Sequence, residues 1–231
     1  MKKTTLFFSL AVFSIRLLSQ GLPVNAKWEL IGVLETPVTM DGDRWICIKS
    51  FNSQVHLIYG NNSGLYYAYS ADNGSSWKKE PLDTRDKVNH VGTFSITPFD
   101  ASLAVDSCGR PHVLYTVNWF HSGPSAAIHL VKEKNGKWKR DTIESRDASK
   151  MMIGMYADIE VDKKGNLHAV YMYDDKSFAY CFFNGKKWNI TRNDPGPRPI
   201  SVKLAVDDQC APHIVVGKFY FSLCEVERVT R

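Results

Sequence analysis

The chain contains no block of lysines and arginines, no Cys-x-x-Cys pair, no Cys/His cluster at zinc-binding spacing and no apolar run of bilayer-spanning length. The first absence, with a formal charge of only +5 from 29 basic and 24 acidic residues, argues against nucleic acid as a partner, because phosphate backbones select basic patches. The missing Cys and His patterns argue against a structural metal. The missing long apolar run argues against a membrane span. No motif implies a cofactor. Cysteine is scarce and odd in number, at Cys47, Cys108, Cys181, Cys210 and Cys224. An oxidising compartment would permit disulfides, but spacing does not fix their pairing.

Residues 1–26 read as a secretory signal. Lys2 and Lys3 precede an apolar stretch from Leu6 to Leu18, interrupted by Arg16, and Val24-Asn25-Ala26 offers a small-residue exit. Removing them leaves 205 residues, 27–231, with 26 basic against 24 acidic side chains. That length suits one domain, and the expected destination is the periplasm or the cell exterior.

One phrase returns four times: QVHLIY at 54–59, GRPHVLY at 109–115, GNLHAVY at 165–171 and CAPHIVV at 210–216. Recurrence at roughly 45 to 56 residues marks an array of one supersecondary unit. Six residues before each His stands Asp106, Asp162 or Asp207, and Ser50 in the first copy. Each of these ends a run alternating with period two, as a half-buried strand does. A turn follows, then the His-bearing strand. In three copies an aromatic and β-branched third strand comes next (LYYAYS, AIHLVKE, FAYCFF), then a turn and a Trp (Trp77, Trp138, Trp188) that opens a fourth. Four antiparallel strands per unit in tandem predict an all-β propeller.

Two ends of the pattern complement each other. WELIGVLET, 28–36, reads as a fourth strand with no first three, and the last copy has no Trp strand after it. Pairing them closes a four-bladed ring and leaves no open sheet edge. Cys108 and Cys210, in the same turn of alternate copies, would then face each other across the ring and are not expected to pair. After Val216 the sequence GKFYFSLCEVERVTR departs from the third-strand pattern, so a truncated larger propeller is the alternative.

The turn SADNGSSW supplies a family resemblance. Ser70, Asp72, Gly74, Ser76 and Trp77 match the bacterial neuraminidase repeat, or Asp-box, S-x-D-x-G-x-[ST]-W, at every specified position. The chain therefore resembles the sialidase-like propeller superfamily. The other two copies keep Gly136 with Trp138 and Gly185 with Trp188 and lose the Asp. The resemblance implies a structural turn between third and fourth strands, with Asp72 capping main-chain amides and Trp77 packing between blades. It also implies what a true sialidase would need: three arginines, an Asp acid/base, and a Tyr with a Glu. Only Arg44 could stand for the first arginine, and no Asp lies between Trp45 and Ala71. Sialidase chemistry is accordingly not expected.

The recurrent His56, His112, His168 and His213 are expected to bond within their hairpins rather than to hold a metal, and Tyr59, Tyr115 and Tyr171 to pack between blades. Ligand contact is expected from Trp119 and Phe120, in the aromatic stretch VNWFHSGPS, and from Arg85 and Arg146, each beginning a loop at the end of a fourth strand. Exposed aromatics suit the apolar face of a sugar, and guanidinium forks suit carboxylates. The leading expectation is noncatalytic recognition of a glycan or cell-surface polymer. One alternative is a glycoside hydrolase using Asp86, Asp147 or Asp194. Another is a protein-interaction scaffold.

Overall fold

The computed structural model describes residues 45–61, 64–83, 100–117, 124–147, 156–174, 176–194 and 201–223. The expected signal segment 1–26 and the strand expected at 28–36 lie outside them. Among the described residues, fifteen strands form four antiparallel sheets. Module 1 comprises β1 (Trp45–Phe51), β2 (Gln54–Asn61), β3 (Gly64–Ser70) and β4 (Lys78–Asp83). Module 2 comprises β5 (Asp100–Val105), β6 (Pro111–Val117), β7 (Pro124–Lys132) and β8 (Trp138–Asp147). Module 3 has β9 (Ala157–Val161), β10 (Leu167–Met172), β11 (Phe178–Phe183) and β12 (Trp188–Asn193), and module 4 has β13 (Val202–Val206), β14 (Pro212–Val216) and β15 (Phe219–Ser222). Every sheet runs in chain order as a meander.

The sheets stack face to face in succession. Ile58, Leu65 and Tyr67 of module 1 pack on Leu103, Val113 and Tyr115 of module 2. Ala104, Leu114 and Ala127 meet Ile159, Ala169 and Tyr171 of module 3. Val170, Phe178 and Tyr180 meet Val202, Leu204, Ile214 and Val216 of module 4. A strand covered on both faces needs no polar alternation, which explains PHVLYTV (β6) and LHAVYM (β10), buried at every position. Tyr115 and Tyr171 bridge modules as well as packing between them. Their hydroxyls donate to Asp83 and Glu144 of the preceding module at 2.8 and 2.9 Å.

The recurrent Asp and His residues build one hairpin three times. In module 2, Asp106 Oδ1 accepts the N–H of Cys108 and of Arg110, both at 2.9 Å, and Gly109 N donates to the Asp106 carbonyl. Asp162 does the same with Lys164, Asn166 and Gly165, and Asp207 with Gln209, Ala211 and Cys210. A type I turn closed by a left-handed residue gives a three-residue hairpin loop. That residue is Gly109 (φ 77°), Gly165 (φ 83°) or, in module 4, Cys210 (φ 67°). A side chain there is strained, so Cys210→Gly is expected to stabilise the protein by about 1 kcal/mol, read from the urea midpoint. No gain would mean that Cys210 makes compensating contacts.

Two expectations change. The first module's counterpart of the Asp is Phe51, not Ser50. His112 pairs with Ala104 and Asp106 lies two residues on, whereas His56 pairs with Lys49, and two residues on is Phe51. The first hairpin is one residue shorter, turning at Asn52 (φ 54°) and Ser53. The segment after Val216 is not a departure from the pattern: Gly217 (φ 58°) turns the chain and β15 pairs with β14, opposing Tyr220 to Val215. In addition, Trp138 and Trp188 open their fourth strands, but β4 begins one residue after Trp77.

Candidate functional site

Register aligns the inner strands β1, β5, β9 and β13 position by position. Cys47, Ser102, Asp158 and Lys203 oppose Ile58, Leu114, Val170 and Val215, each two residues beyond the module's His. One step along, Lys49, Ala104, Glu160 and Ala205 oppose the histidines themselves. Polar side chains thus recur at two levels of the inner strands, and they bond to one another. Lys49 Nζ donates to Glu160 Oε1 at 2.6 Å, from module 1 to module 3 past module 2. Ser102 Oγ donates to Asp158 Oδ1 at 2.6 Å, Leu204 N donates to Asp158 Oδ2 at 3.0 Å, and Lys203 Nζ lies 3.6 Å from Oδ2.

Asp100 completes the group. Its Oδ2 accepts the N–H of Ala157 at 3.0 Å and its Oδ1 that of Ala101 at 2.9 Å. Burial, with repulsion from Asp158, outweighs these bonds and the Lys203 charge and raises its pKa to about 6. The folded value lies above the unfolded one, so the native state binds the extra proton between them. The associated stability is present at acid pH and is lost as pH rises through about 6. Asp100→Asn keeps one of the two acceptors, enough for the Ala157 N–H, without the charge. It is expected to be more stable than the parent by about 2 kcal/mol at pH 7.5, the difference fading toward pH 4; a gain that persists at pH 4 would count against the buried charge as cause.

Three of the recurrent histidines sit between two partners each. In modules 3 and 4, Nδ1 meets a tyrosine hydroxyl (His168 to Tyr180 at 2.8 Å, His213 to Tyr220 at 2.6 Å) and Nε2 faces the hairpin Asp (Asp162 at 3.4 Å, Asp207 at 3.2 Å). In module 2 a second imidazole replaces the tyrosine: His112 Nδ1 lies 3.1 Å from His129 Nε2, the rings stacked within 8°. In module 1, His56 Nδ1 meets Tyr67 Oη at 2.7 Å, but its buried Nε2 has no hydrogen-bond partner. Phe51, standing where the others have Asp, accounts for that orphan.

Of the residues expected to touch ligand, Arg85, Trp119 and Phe120 lie outside the described residues, as does Asp86. Arg146 is a strand residue of β8 rather than the start of a loop. Its guanidinium lies 4.0 Å from the Tyr173 ring centroid, and Arg192 of β12 lies 4.4 Å from the same centroid. Arg192 also pairs with Glu144 at 2.5 Å. Asp147 and Asp194 follow these arginines at the strand ends.

At the turn after β3, Asp72 Oδ1 accepts the N–H of Ser76 at 2.8 Å and the hydroxyl of Ser70 at 2.7 Å, and its Oδ2 accepts the Ser76 hydroxyl at 2.6 Å. These bonds lower the Asp72 pKa to about 2. Gly74 takes φ 91°, and Trp77 Nε1 donates to the Gly74 carbonyl at 3.0 Å. Trp77 packs beside Leu57, Tyr59 and Ala68 of its own module. The four described cysteines, Cys47, Cys108, Cys181 and Cys210, are free thiols. No described group of three His, Cys, Asp or Glu residues is arranged to hold a metal ion, and no described helix is long and apolar enough to cross a membrane.

No protein-family model matches the sequence, and no curated protein does. Solved structures do. An α-L-arabinanase of Penicillium chrysogenum complexed with arabinobiose matches at 13% identity and a TM-score of 0.54, covering 78% of this chain and 60% of that one. A Trypanosoma rangeli sialidase in complex with the inhibitor DANA matches at 12% identity and a TM-score of 0.50, covering 80% and 38%. A fucose lectin of Kordia zhangzhouensis in complex with methyl-fucoside matches at 18% identity and a TM-score of 0.39, covering 64% and 97%. The chain thus spans 60% of the arabinanase's length and 38% of the sialidase's, less than two thirds of either. The likeness is one of fold: an all-β protein of antiparallel sheets, three of them four-stranded and one three-stranded among the described residues, consistent with the β-propellers it matches.

Proposed function

We propose that the protein is a secreted or periplasmic, noncatalytic recognition module for a glycan or cell-surface polymer, built as a ring of four blades of the sialidase-like, Asp-box type. One observation carries the noncatalytic part: the carboxylates of the inner strands are committed to holding the fold. Asp158 spans Ser102 and the Leu204 N–H, Asp100 holds the Ala157 N–H, and Glu160 holds Lys49. A glycosidase instead requires an acid and a nucleophile or base free to face the scissile bond. The Lys49–Glu160 bond also supports a small ring, since it joins blades two apart through side chains alone. The ring closes through residues 28–36, and removal of residues 1–26 on export leaves a single domain.

Ligand contact falls to Trp119, Phe120, Arg85 and Arg146, with Arg146 held in place by the Tyr173 ring. The hydrolase reading has one observation in its favour: a carboxyl titrating near pH 6, as Asp100 does, suits a general acid. A glycan array probed with the purified protein tests the proposal. The expected result is a selective set of bound glycans, with binding lost in Trp119→Ala and weakened in Arg146→Ala. Binding to no glycan would overturn the recognition role and favour a protein-interaction scaffold.

A further inference from the structure

The seams joining module 1 to module 2 and module 2 to module 3 each set a fourth-strand carboxylate against a tyrosine and an arginine. At the first, Asp83 of β4 accepts the Tyr115 hydroxyl at 2.8 Å and lies 3.6 Å from Arg140 Nη1. At the second, Glu144 of β8 accepts the Tyr171 hydroxyl through Oε2 at 2.9 Å and Arg192 Nη2 of β12 through Oε1 at 2.5 Å. Both Glu144 oxygens are thereby occupied.

The second seam carries one cation more. Arg146, two residues beyond Glu144 and so on the same face of β8, places its guanidinium 4.0 Å from the Tyr173 ring centroid, and Arg192 covers that same ring at 4.4 Å. Among the described residues no carboxylate forms an ion pair with Arg146, and its Nη1 is buried without a hydrogen-bond partner. Asp174 does not fill the gap, because its Oδ1 accepts the N–H of Lys176 at 2.8 Å and of Ser177 at 2.6 Å. Burial opposes its ionisation, but those bonds, with the Arg146 charge as a lesser influence, hold Asp174 below the usual carboxylate range.

An aromatic face attracts a cation but offers no acceptor to its N–H groups. Arg146 is therefore held in place with its donors unfilled, beside a second guanidinium of like charge. An anion relieves both conditions, through charge-assisted hydrogen bonds in a partly desolvated setting. The platform itself is fixed: Tyr173 N donates to the Ser177 carbonyl at 2.8 Å, closing the turn after β10. It also belongs to one seam only. Tyr115 opposes Ala101 as Tyr171 opposes Ala157, and two residues on stand Val117, which is buried, and Tyr173.

We propose that Arg146 and Arg192, over the Tyr173 ring, bind the acidic group, carboxylate or sulfate, of an anionic polysaccharide at the seam of modules 2 and 3. The planar fork of Arg146 suits two oxygens of one such group. Arg192 supplies the second positive charge, with Glu144 orienting it. The inference rests on the glycan-recognition reading, to which it adds the charge of the ligand and a further contact residue.

Calorimetric titration of the full chain with an oligogalacturonate, a sulfated oligosaccharide and the uncharged counterpart of each tests it. At least one acidic sugar should bind about tenfold or more tighter than its uncharged counterpart, less so as NaCl rises, and the tighter of the two names the group. Arg146→Gln should remove about that tenfold preference. If Arg146→Gln does not fold, Arg146→Lys keeps the charge without the fork. It should bind the acidic sugar several-fold more weakly than the parent, and unchanged affinity would overturn the site. Uncharged sugars bound as tightly as acidic ones, with Arg146→Gln altering neither, would overturn the acidic ligand and leave the recognition role. Retention of no glycan at all, charged or neutral, would overturn both readings. Polyglutamate bound through Arg146 in place of any sugar would overturn the polysaccharide class.

Discussion

Replacing His129 by tyrosine is expected to remove a large part of the protein's sensitivity to acid. His129 is 4% exposed, and burial, the His112 charge and Lys139 lower its pKa to about 3. The folded value lies below the unfolded one near 6.5, so between them the unfolded chain binds the extra proton. The native state is fully favoured above pH 6.5 and loses stability as pH falls, by about 3 kcal/mol at pH 4 from this group alone. Tyrosine is what the equivalent position holds in modules 1, 3 and 4, as Tyr67, Tyr180 and Tyr220. Its hydroxyl can meet His112 Nδ1 as theirs meet His56, His168 and His213. The Trp188 edge against His129 matches the Trp138 edge against Tyr67, so the larger ring has a precedent in this protein. Urea unfolding at pH 7.5 and pH 4 should show the variant within about 1 kcal/mol of the parent at the first pH and well above it at the second. Parallel losses in both proteins would mean that His129 does not cause the acid sensitivity.

Asp162→Ala is expected to cost about 3 kcal/mol at neutral pH, and to do so through hydrogen bonds rather than lost apolar packing. The carboxylate is 5% exposed and accepts from Lys164 N, Asn166 N, the Asn166 side chain and, at 3.4 Å, His168 Nε2. Burial alone would raise its pKa, but the bonds from Asn166, His168 and Lys164 together hold it below the usual carboxylate value. Alanine strips the acceptor from two main-chain amides and leaves His168 Nε2 buried without a partner. Asp162→Asn, which can still accept at Oδ1, should lose roughly a third as much. An alanine variant within about 1 kcal/mol of the parent would show that the hairpin is held by strand pairing alone.

The recurrent Asp and His positions show how much of the fold was legible in the sequence. The Asp and His recur because one hairpin is built repeatedly, and a fixed six-residue separation survives wherever the loop has three residues. Module 1 broke the count. Its turn has two residues, so sequence spacing points to Ser50, whereas pairing register points to Phe51. The histidine's partner was hidden for a similar reason. Tyr67, His129, Tyr180 and Tyr220 follow their histidines by 11, 17, 12 and 7 residues, because the second turn varies in length while cross-strand geometry does not. β15 escaped notice because it has four residues and no following Gly and Trp to punctuate it. The inner-strand cluster of Lys49, Ser102, Asp158, Glu160 and Lys203 left no local signal. Its members come from four repeats and share only two register positions. Arg146 was visible as a recurrent strand-end arginine, but its stacking on Tyr173 needed two modules side by side.

The central claim is recognition of a glycan without its conversion. The direct measurement incubates the purified protein with the glycans it retains and follows them by mass spectrometry across pH 4 to pH 8. The account predicts that every retained glycan is recovered intact at every pH. Release of shorter products, abolished by changing a single carboxylate such as Asp100, Asp147 or Asp158, would contradict it and identify the protein as a glycoside hydrolase.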